Sequence, residues 1–352
     1  MEAPEYGRYV TIRGRTFLFS SLHLLIWAIG LAFVGEVVLS GGVNFEGGNL
    51  LTIGAIDRNA SWAAGASGWR SFFIPSEWWR QFTSMFLHLS IAHLLLNGMA
   101  LYNLGRLADR IYGPTRLLLV FLVTGLAGSA TSAIWSQLRN DPSWGAGASG
   151  AICGLLGLLL ANTRSRPDAA NQYVARQLLQ WSVMILVFGL LVPQVNNAAH
   201  IGGFVVGYLL ARVLKEGYFD DIRQDTEARV VRAATGGLAA AAVAALLISG
   251  IGATGRHETV TALARLNDEL ESALDGLERG RAGAAKIARR SVDGIEVSDP
   301  KIADLRDRAS QLLSIVDVDD LLSVQALRLT AIEVVEVFAE RAPDWFIRVS
   351  NK

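Results

Sequence analysis

The stretch Trp-Gly-Ala-Gly-Ala-Ser-Gly-Ala-Ile-Cys-Gly-Leu-Leu-Gly, residues 144–157, places one serine among small residues at the start of an apolar run. Small residues allow tight backbone turns and the close approach of a neighbouring helix. Alone, such a run is more often a packing segment than a site. His200 changes this interpretation, because it opens another apolar run, Asn196-Asn197-Ala198-Ala199-His200-Ile201-Gly202-Gly203.

The composition indicates a membrane protein. Of the 352 residues, 51% are hydrophobic and only 18% are charged, which is too apolar for an ordinary soluble enzyme of this length. The net charge is +0, so nothing points to nucleic acid as a partner. The single cysteine, Cys153, excludes an intramolecular disulfide.

Seven apolar segments are candidate membrane helices, which need about 20 residues, although the fourth to sixth are short or interrupted by polar groups. They are 17–40, 84–105, 115–136, 149–163, 177–193, 198–214 and 233–253. The predicted fold class is therefore all-α, a polytopic membrane helix bundle. Its predicted parts are a cytoplasmic N-terminal segment (1–16), a six-helix core (17–216), a cytoplasmic linker (217–232), a seventh transmembrane helix (233–253) and a helical extracytoplasmic appendage (254–352).

The loops set the orientation. Arg and Lys concentrate in the N-terminal segment and in the loops after the second, fourth and sixth helices, which predicts a cytoplasmic N-terminus and, with seven spans, an extracytoplasmic C-terminus. The first apolar run is too long for a signal peptide, so it is interpreted as a retained anchor. The aromatic-rich loop 41–80 is either a small extramembrane fold or a half-inserted loop.

The C-terminal segment changes character. Val260, Leu263, Leu266 and Leu270 recur at three- and four-residue steps, which predicts an amphipathic helix, and similar patterns follow near 302–313 and 321–340. These patterns predict a helical hairpin or three-helix unit. The acidic cluster at 317–320 is interpreted as a solvated turn, because no metal-ligand set accompanies it.

The predicted topology brings five polar groups to one depth. The second, fourth and sixth helices all run inward. His88, His93 and Asn97 lie in the first part of the second helix, whereas Ser149 begins the fourth and His200 the sixth. The small-residue faces Gly150/Gly154 and Gly203/Gly207 permit close helix contact, which brings Ser149 and His200 towards hydrogen-bond range.

This arrangement predicts nucleophilic catalysis by a dyad. A serine needs a neighbouring base, and the unperturbed pKa of a histidine such as His200 lies near neutrality. The outer halves of the last three core helices contain no acid to complete a triad. The side chains of His93 and Asn97 and the Ser149 N–H are candidate donors to an oxyanion. Alternatively, His88, His93 and Asn97 simply hydrogen-bond across helices.

At these residues the sequence resembles the rhomboid family of intramembrane serine proteases. The resemblance covers about 77–214. Its motifs are Trp78-Trp79-Arg80-Gln81-Phe82-Thr83, His88-x4-His93-x3-Asn97, Gly147-Ala148-Ser149-Gly150 and Ala199-His200-x2-Gly203-x3-Gly207. Together these motifs are specific, whereas each alone is weak.

The resemblance implies a role for each residue. Ser149 would be the nucleophile, His200 the base, and Asn97, His93 and the Ser149 amide the oxyanion hole. The site-supporting residues would be His88, Arg80, Gly147, Gly150, Gly203 and Gly207. The resemblance further implies single-span membrane proteins as substrates, cleaved near the outer leaflet of the lipid bilayer. No cofactor or metal is expected, and the expected location is a bacterial plasma membrane.

The sequence departs from the family pattern at Cys153, where many members carry an aromatic residue that stacks on the catalytic histidine. The seventh span resembles the added helix of some members, and the appendage is hypothesised to bind an unknown partner or restrict substrate access. One alternative is a catalytically silent rhomboid-like protein that binds membrane helices for quality control. Such relatives usually lose the serine or histidine. A transporter with broken helices is a further alternative.

Overall fold

The computed structural model describes residues 8–12, 15–45, 53–68, 70–139, 144–192, 195–217, 226–281, 283–316 and 321–341. They belong to two compact units, Met1–Gly250 and Ile251–Lys352, called here the N-terminal unit and the C-terminal unit. Parts of the predicted segments 1–16 and 217–232, and the acidic cluster 317–320, lie outside the described residues.

The described part of the N-terminal unit begins with two paired strands rather than a helix. Strand β1 (Arg8–Ile12) pairs antiparallel with β2 (Arg15–Phe19), and α1 follows over Ser21–Ser40. The predicted helix start at residue 17 is therefore wrong. The helix begins at Ser21 because Ser20 is its N-cap, with extended backbone and a hydroxyl that accepts the His23 N–H.

The remaining elements of this unit follow in chain order. They are α2 (Arg58–Ala63), β3 (Ser67–Gly68), a 3-10 turn (Pro75–Glu77), α3 (Trp79–Thr83), α4 (Ile91–Tyr112), α5 (Pro114–Arg139), β4 (Trp144–Gly145), α6 (Ser149–Arg164), α7 (Ala169–Leu191) and α8 (Asn197–Leu210). Helix α9 (Thr226–Glu278) contains both the predicted seventh span and the predicted first helix of the appendage.

Helix α4 starts later than the sequence predicts. Ser90 has an extended backbone, and its hydroxyl accepts the His93 N–H at 3.1 Å, which caps the helix before Ile91. The prediction that His88 lies within this helix is therefore wrong, because His88 precedes the cap. At its other end, α4 continues to Tyr112, so Arg106 and Arg110 are helical rather than in a loop.

Among the described residues, four helices are long and apolar enough to cross a membrane. These are Ser21–Ser40, Pro114–Arg139, Ala169–Leu191 and, within α9, Arg229–Glu278, and α8 is a shorter apolar helix. The architecture is thus a helical bundle of membrane-spanning character. Hydropathy does not identify α4 and α6, since α4 carries polar groups and α6 has only 16 residues.

Helix α6 forms the centre of the bundle. It packs against α4, α5, α7 and α8, and nearly all its side chains are buried. Glycines make this possible: a Cβ added to Gly203 or Gly207 would overlap the backbone of Gly150 or Gly154. Helix α7 lies at the periphery, with only two residues of its length buried.

The loop after α1 contains a small folded segment that spans residues 53–90. Its α2, β3 and α3 surround Arg80, whose side chain is 1% exposed. The guanidinium donates to the carbonyls of Trp62 and Ala66, pairs with Glu77, and lies over the Trp62 ring at 4.1 Å. The described part of this loop is therefore compact rather than extended.

The C-terminal unit is helical. After the last part of α9 it contains α10 (Ala284–Asp293), α11 (Pro300–Ile315) and α12 (Leu321–Arg341). Leu263, Leu266 and Leu270 are fully buried, as the helical spacing predicts. Helix α10 lies in a stretch for which the sequence analysis predicted no helix.

Candidate active site

Ser149 and His200 meet at the beginnings of two central helices. Ser149 is the first residue of α6, and His200 lies in the first turn of α8. The Ser149 Oγ lies 2.9 Å from the His200 Nε2, although the two residues are 51 positions apart. In the neutral tautomer protonated at Nδ1, the serine hydroxyl donates to Nε2.

Glycine contacts hold the two helices at the distance that this pair needs. A Cβ on Gly203 would overlap the carbonyl of Gly150, the residue that follows the serine. A Cβ on Gly128 of α5 would lie 2.8 Å from the carbonyl oxygen of Ala199, the residue before the histidine. The backbones on both sides of the pair are therefore in direct contact.

The start of α8 is fixed by Asn196. Its side-chain oxygen accepts the Ala199 N–H at 3.0 Å, and its amide nitrogen donates to the Ser132 hydroxyl of α5 at 2.6 Å. This cap satisfies one of the orphan N–H groups at the helix start and joins α8 to α5. His200 follows four residues later in the first turn of α8, so the same cap fixes the position of its backbone.

The His200 Nδ1 is buried and has no hydrogen-bond partner among the described residues. The described arrangement is therefore a pair, with no carboxylate on the far side of the imidazole. Cys153, one turn after Ser149, is a buried free thiol. The orientation of His200 thus depends on its contact with Ser149 and on helix packing.

His93 and Asn97 lie beside the backbone that leads into the serine. Gly147 has φ +140, and a Cβ there would lie 2.7 Å from the His93 Cε1 and 3.8 Å from the Asn97 Nδ2. Only glycine accommodates both this backbone conformation and this proximity. The Asn97 amide also donates to the His93 carbonyl at 3.1 Å, and Asn97 is buried.

The Ser149 amide adds a third potential donor on the same side. As the first residue of α6, it belongs to the N–H groups that have no partner within the helix, and the helix dipole concentrates positive potential there. This N–H, an Nδ2–H of Asn97 and a ring N–H of His93 can each donate to a negatively charged oxygen.

His88 contacts His93 and so supports the position of the His93 side chain. It is fully buried, and its ring centroid lies 5.0 Å from that of His93 at an interplanar angle of 60°. Its backbone N–H donates to the Glu36 carboxyl of α1 at 2.8 Å. The sequence analysis missed Glu36, although a carboxyl group inside an otherwise apolar 20-residue helix is a recognisable signal.

Arg80 acts at a distance from the pair. It organises the folded segment 53–90, in which β3 pairs with β4 through Ser67–Gly145 and Gly68–Trp144. The Gly147 N–H also donates to the Ser84 carbonyl at 2.8 Å, a contact that sequence spacing does not reveal. The segment that precedes Ser149 is therefore attached to the fold that Arg80 stabilises.

These features define a class: a multi-pass helical membrane protein with a partly buried serine–histidine pair. Residues 75–217 match the family model of the Rhomboid domain. This part of the chain is therefore similar to the rhomboid family.

Several curated proteins are similar over this part of the chain. The chain is 34% identical over 199 residues to "Rhomboid protease GluP" of Bacillus subtilis (56% of this chain, 34% of the relative). It is 36% identical over 150 residues to "RHOMBOID-like protein 1" of Arabidopsis thaliana (41% and 37%), and 32% identical over 158 residues to "Rhomboid protease AarA" of Providencia stuartii (39% and 56%). The alignments thus cover between about a third and somewhat over half of these relatives.

Proposed function

We propose that the chain is an intramembrane serine endopeptidase that cleaves membrane-protein segments with Ser149 and His200 as its catalytic dyad. The observation that carries this proposal is the 2.9 Å contact between the Ser149 Oγ and the His200 Nε2. A polar pair of this kind inside a membrane bundle is costly, so it is by default a candidate functional site. Two of the relatives named above, which are called rhomboid proteases, support the same activity.

In the acylation step, the Ser149 oxygen attacks the carbonyl carbon of the scissile peptide bond while its proton passes to the His200 Nε2. The tetrahedral intermediate then collapses, and the C–N bond breaks. The imidazolium gives its proton to the leaving nitrogen, which departs as an amine. The remaining product is an ester of Ser149 with the N-terminal part of the substrate.

The negative charge of the intermediate falls on the former carbonyl oxygen. We assign its stabilisation to the side chains of His93 and Asn97 and to the Ser149 N–H, which flank Gly147 and the start of α6. Such preorganised donors are each worth roughly 100- to 1,000-fold in rate. His88 and Arg80 would keep these three donors in place without touching the substrate.

Deacylation repeats the same proton path with water as the nucleophile. The His200 Nε2 takes a proton from water, the hydroxyl oxygen attacks the acyl carbon, and the proton returns to the Ser149 oxygen as the ester bond breaks. Neither step needs a metal or cofactor. The unpartnered Nδ1 of His200 makes a dyad the economical description.

In the membrane, α1 and α4–α8 would form the six-helix core and α9 would supply the seventh span. The N-terminus would be cytoplasmic and the C-terminus extracytoplasmic, so α4, α6 and α8 would begin at the outer side and place the dyad near the outer leaflet. The substrates would be single-span proteins of a bacterial plasma membrane. Residues 254–352 would bind an unknown partner or restrict substrate access.

The test is labelling of the detergent-purified chain with a fluorophosphonate probe, which reacts with activated serines. We expect the wild type to be labelled and both Ser149→Ala and His200→Ala to lose labelling by at least about 1,000-fold. Ser182→Ala is the matched control, since Ser182 lies on the peripheral α7 and its hydroxyl donates to the Leu178 carbonyl of the same helix.

The opposite outcome has a defined meaning. A wild type that unfolds cooperatively but is neither labelled nor active on a model membrane substrate would contradict the proposed enzyme. It would favour a silent rhomboid-like protein that binds membrane helices. Labelling that persists in Ser149→Ala would assign the reactive group to another residue.

A further inference from the structure

Glu36 is a buried carboxyl group that the proposed chemistry does not use. It lies in α1 near the end that faces the site, and its side chain is 1% exposed. One carboxyl oxygen accepts the Ser61 hydroxyl at 3.0 Å, and the other accepts the His88 backbone N–H at 2.8 Å. A carboxyl group in a membrane helix is energetically expensive and is by default a candidate functional group.

The segment that Glu36 holds, residues 84–90, touches the proposed site at three points. The Ser84 carbonyl accepts the N–H of Gly147, which leads into Ser149. The His88 ring packs against the His93 ring, and the Ser90 hydroxyl caps α4 at the N–H of His93. One short segment therefore positions both Gly147 and His93.

The backbone of this segment also bonds within residues 53–90: the Phe86 N–H donates to the Thr83 carbonyl and the Leu89 carbonyl accepts the Ile56 N–H, both at 2.9 Å. The Nε2 of His88 is buried and has no partner among the described residues, and its Nδ1 is 3.3 Å from the Phe86 carbonyl within the same segment. The Glu36 contact reaches the His88 backbone from 52 positions away. It is thus the polar link between this segment and the first helix of the bundle.

We propose that Glu36 is a positioning residue for the oxyanion site. By accepting the His88 N–H, it fixes residues 84–90 so that His93 and the backbone at Gly147 face the same point above Ser149. This inference rests on the proposed function, since it assigns Glu36 a part in the reactivity of Ser149. Glu36 itself touches neither the substrate nor the reacting atoms.

Two substitutions of similar size separate positioning from simple space filling. In Glu36→Gln, the amide oxygen still accepts the His88 N–H and the amide nitrogen donates to the Ser61 hydroxyl, which rotates to accept. In Glu36→Met, the side chain fills the same space without an acceptor, so the His88 N–H is left buried and unpaired. Ser61→Ala removes only the other contact of Glu36.

The measurement is the second-order rate constant of fluorophosphonate labelling, determined at a temperature well below the thermal unfolding midpoint of each variant. We expect Glu36→Gln to remain within about twofold of the wild type and Glu36→Met to fall about tenfold. That fall is smaller than the roughly 100-fold loss that a full 1 Å displacement causes. Ser61→Ala should fall less than Glu36→Met.

Leu25→Ala is the control for a purely structural role. Leu25 is a buried apolar residue of the same helix, and its truncation lowers the thermal midpoint through a cavity. If positioning is the role, Leu25→Ala keeps the wild-type labelling rate even where its midpoint falls as far as that of Glu36→Met. Should Glu36→Met fail to fold, Glu36→Asp replaces it, because the shorter side chain withdraws the carboxyl from His88.

Three results would overturn the inference. The first is wild-type labelling in Glu36→Met, and the second is a rate loss in Leu25→Ala that matches Glu36→Met at an equal midpoint. The third is equal loss in Glu36→Gln and Glu36→Met. An unlabelled but folded wild type would instead contradict the proposed function, and the inference would fall with it.

Discussion

The two units of the chain place their polar side chains differently. In the N-terminal unit, Glu36, Arg80, His88, Asn97 and His200 are all buried. In the described part of the C-terminal unit, ion pairs such as Arg308 with Glu333 and Lys301 with Glu340 lie at the surface, and the core is apolar apart from Asn267, Ser323 and Thr330. Burial of a polar group costs free energy unless it is fully paired, whereas an exposed pair costs little. The buried polar side chains of the N-terminal unit are therefore the stronger candidates for a function.

Outside the dyad, the largest effect on the labelling rate is expected when a buried hydrogen-bond donor of the N-terminal unit is removed. We expect Asn97→Ala to lower the labelling rate about 100- to 1,000-fold, the usual effect of losing one oxyanion donor, with little change in the thermal midpoint. The matched control is Asn103→Ala. Asn103 lies on the same helix and donates to the carbonyl four residues earlier, as Asn97 does, but it is exposed.

The control variant should label at the wild-type rate. If Asn97→Ala also labelled at that rate, Asn97 would be a structural hydrogen-bonding residue between helices. The alternative for His93 and Asn97 raised by the sequence would then be favoured.

The sequence predicts the meeting of Ser149 and His200 because each stands out as a polar residue at the start of an apolar run beside small residues. It fails at the helix starts near 17 and 84. There, strand pairing and the caps at Ser20 and Ser90 override hydropathy. The contact of Glu36 with His88 depends on how the chain returns after a long loop, and no periodicity encodes such a contact.

A second test concerns the helix contact rather than a polar group. In Gly203→Ala, the new methyl group would overlap the Gly150 carbonyl, so α6 and α8 must separate. A displacement of about 1 Å between nucleophile and base costs roughly 100-fold, so we expect a loss of this order in the labelling rate together with a lower thermal midpoint.

Gly98→Ala is the control for this variant, because a Cβ at Gly98 meets nothing within 4 Å in the described structure. It should preserve the rate, and alanine should stabilise helix α4 slightly. Equal rates in Gly203→Ala and the wild type would show that α6 and α8 tolerate separation without loss of the pair.

A third test concerns the turn before the serine. Gly147→Ala introduces a Cβ 2.7 Å from the His93 Cε1 at a backbone position with φ +140. We expect about a tenfold loss in the labelling rate, since the His93 side chain can move partly aside while the strained backbone remains. Gly145→Ala, two residues earlier, meets nothing within 4 Å and should leave the rate unchanged. Similar losses in both variants would assign the effect to the loop as a whole.

The smallest effect is expected in the C-terminal unit, at the pair that joins α11 and α12. The Arg308 guanidinium donates to both carboxyl oxygens of Glu333, at 2.8 and 2.9 Å, and holds the pKa of that carboxyl below its usual value. The contribution of the pair to stability is thus present above the ordinary pKa of a glutamate and is lost as the pH falls through the lowered value. An exposed pair of this kind is worth roughly 0.2–1 kcal/mol.

Glu333→Gln should therefore increase hydrogen exchange of the α11 and α12 amides only about twofold at neutral pH, after correction for intrinsic rates. Glu336→Gln, an exposed carboxyl on the same helix, should not do so. The difference between Glu333→Gln and the wild type should vanish only once the pH falls below the lowered pKa of Glu333, where the wild-type carboxyl is itself neutral. Neither variant should change fluorophosphonate labelling. A labelling defect in Glu333→Gln would mean that surface charge in the C-terminal unit affects Ser149, and the contrast between the two units would no longer hold.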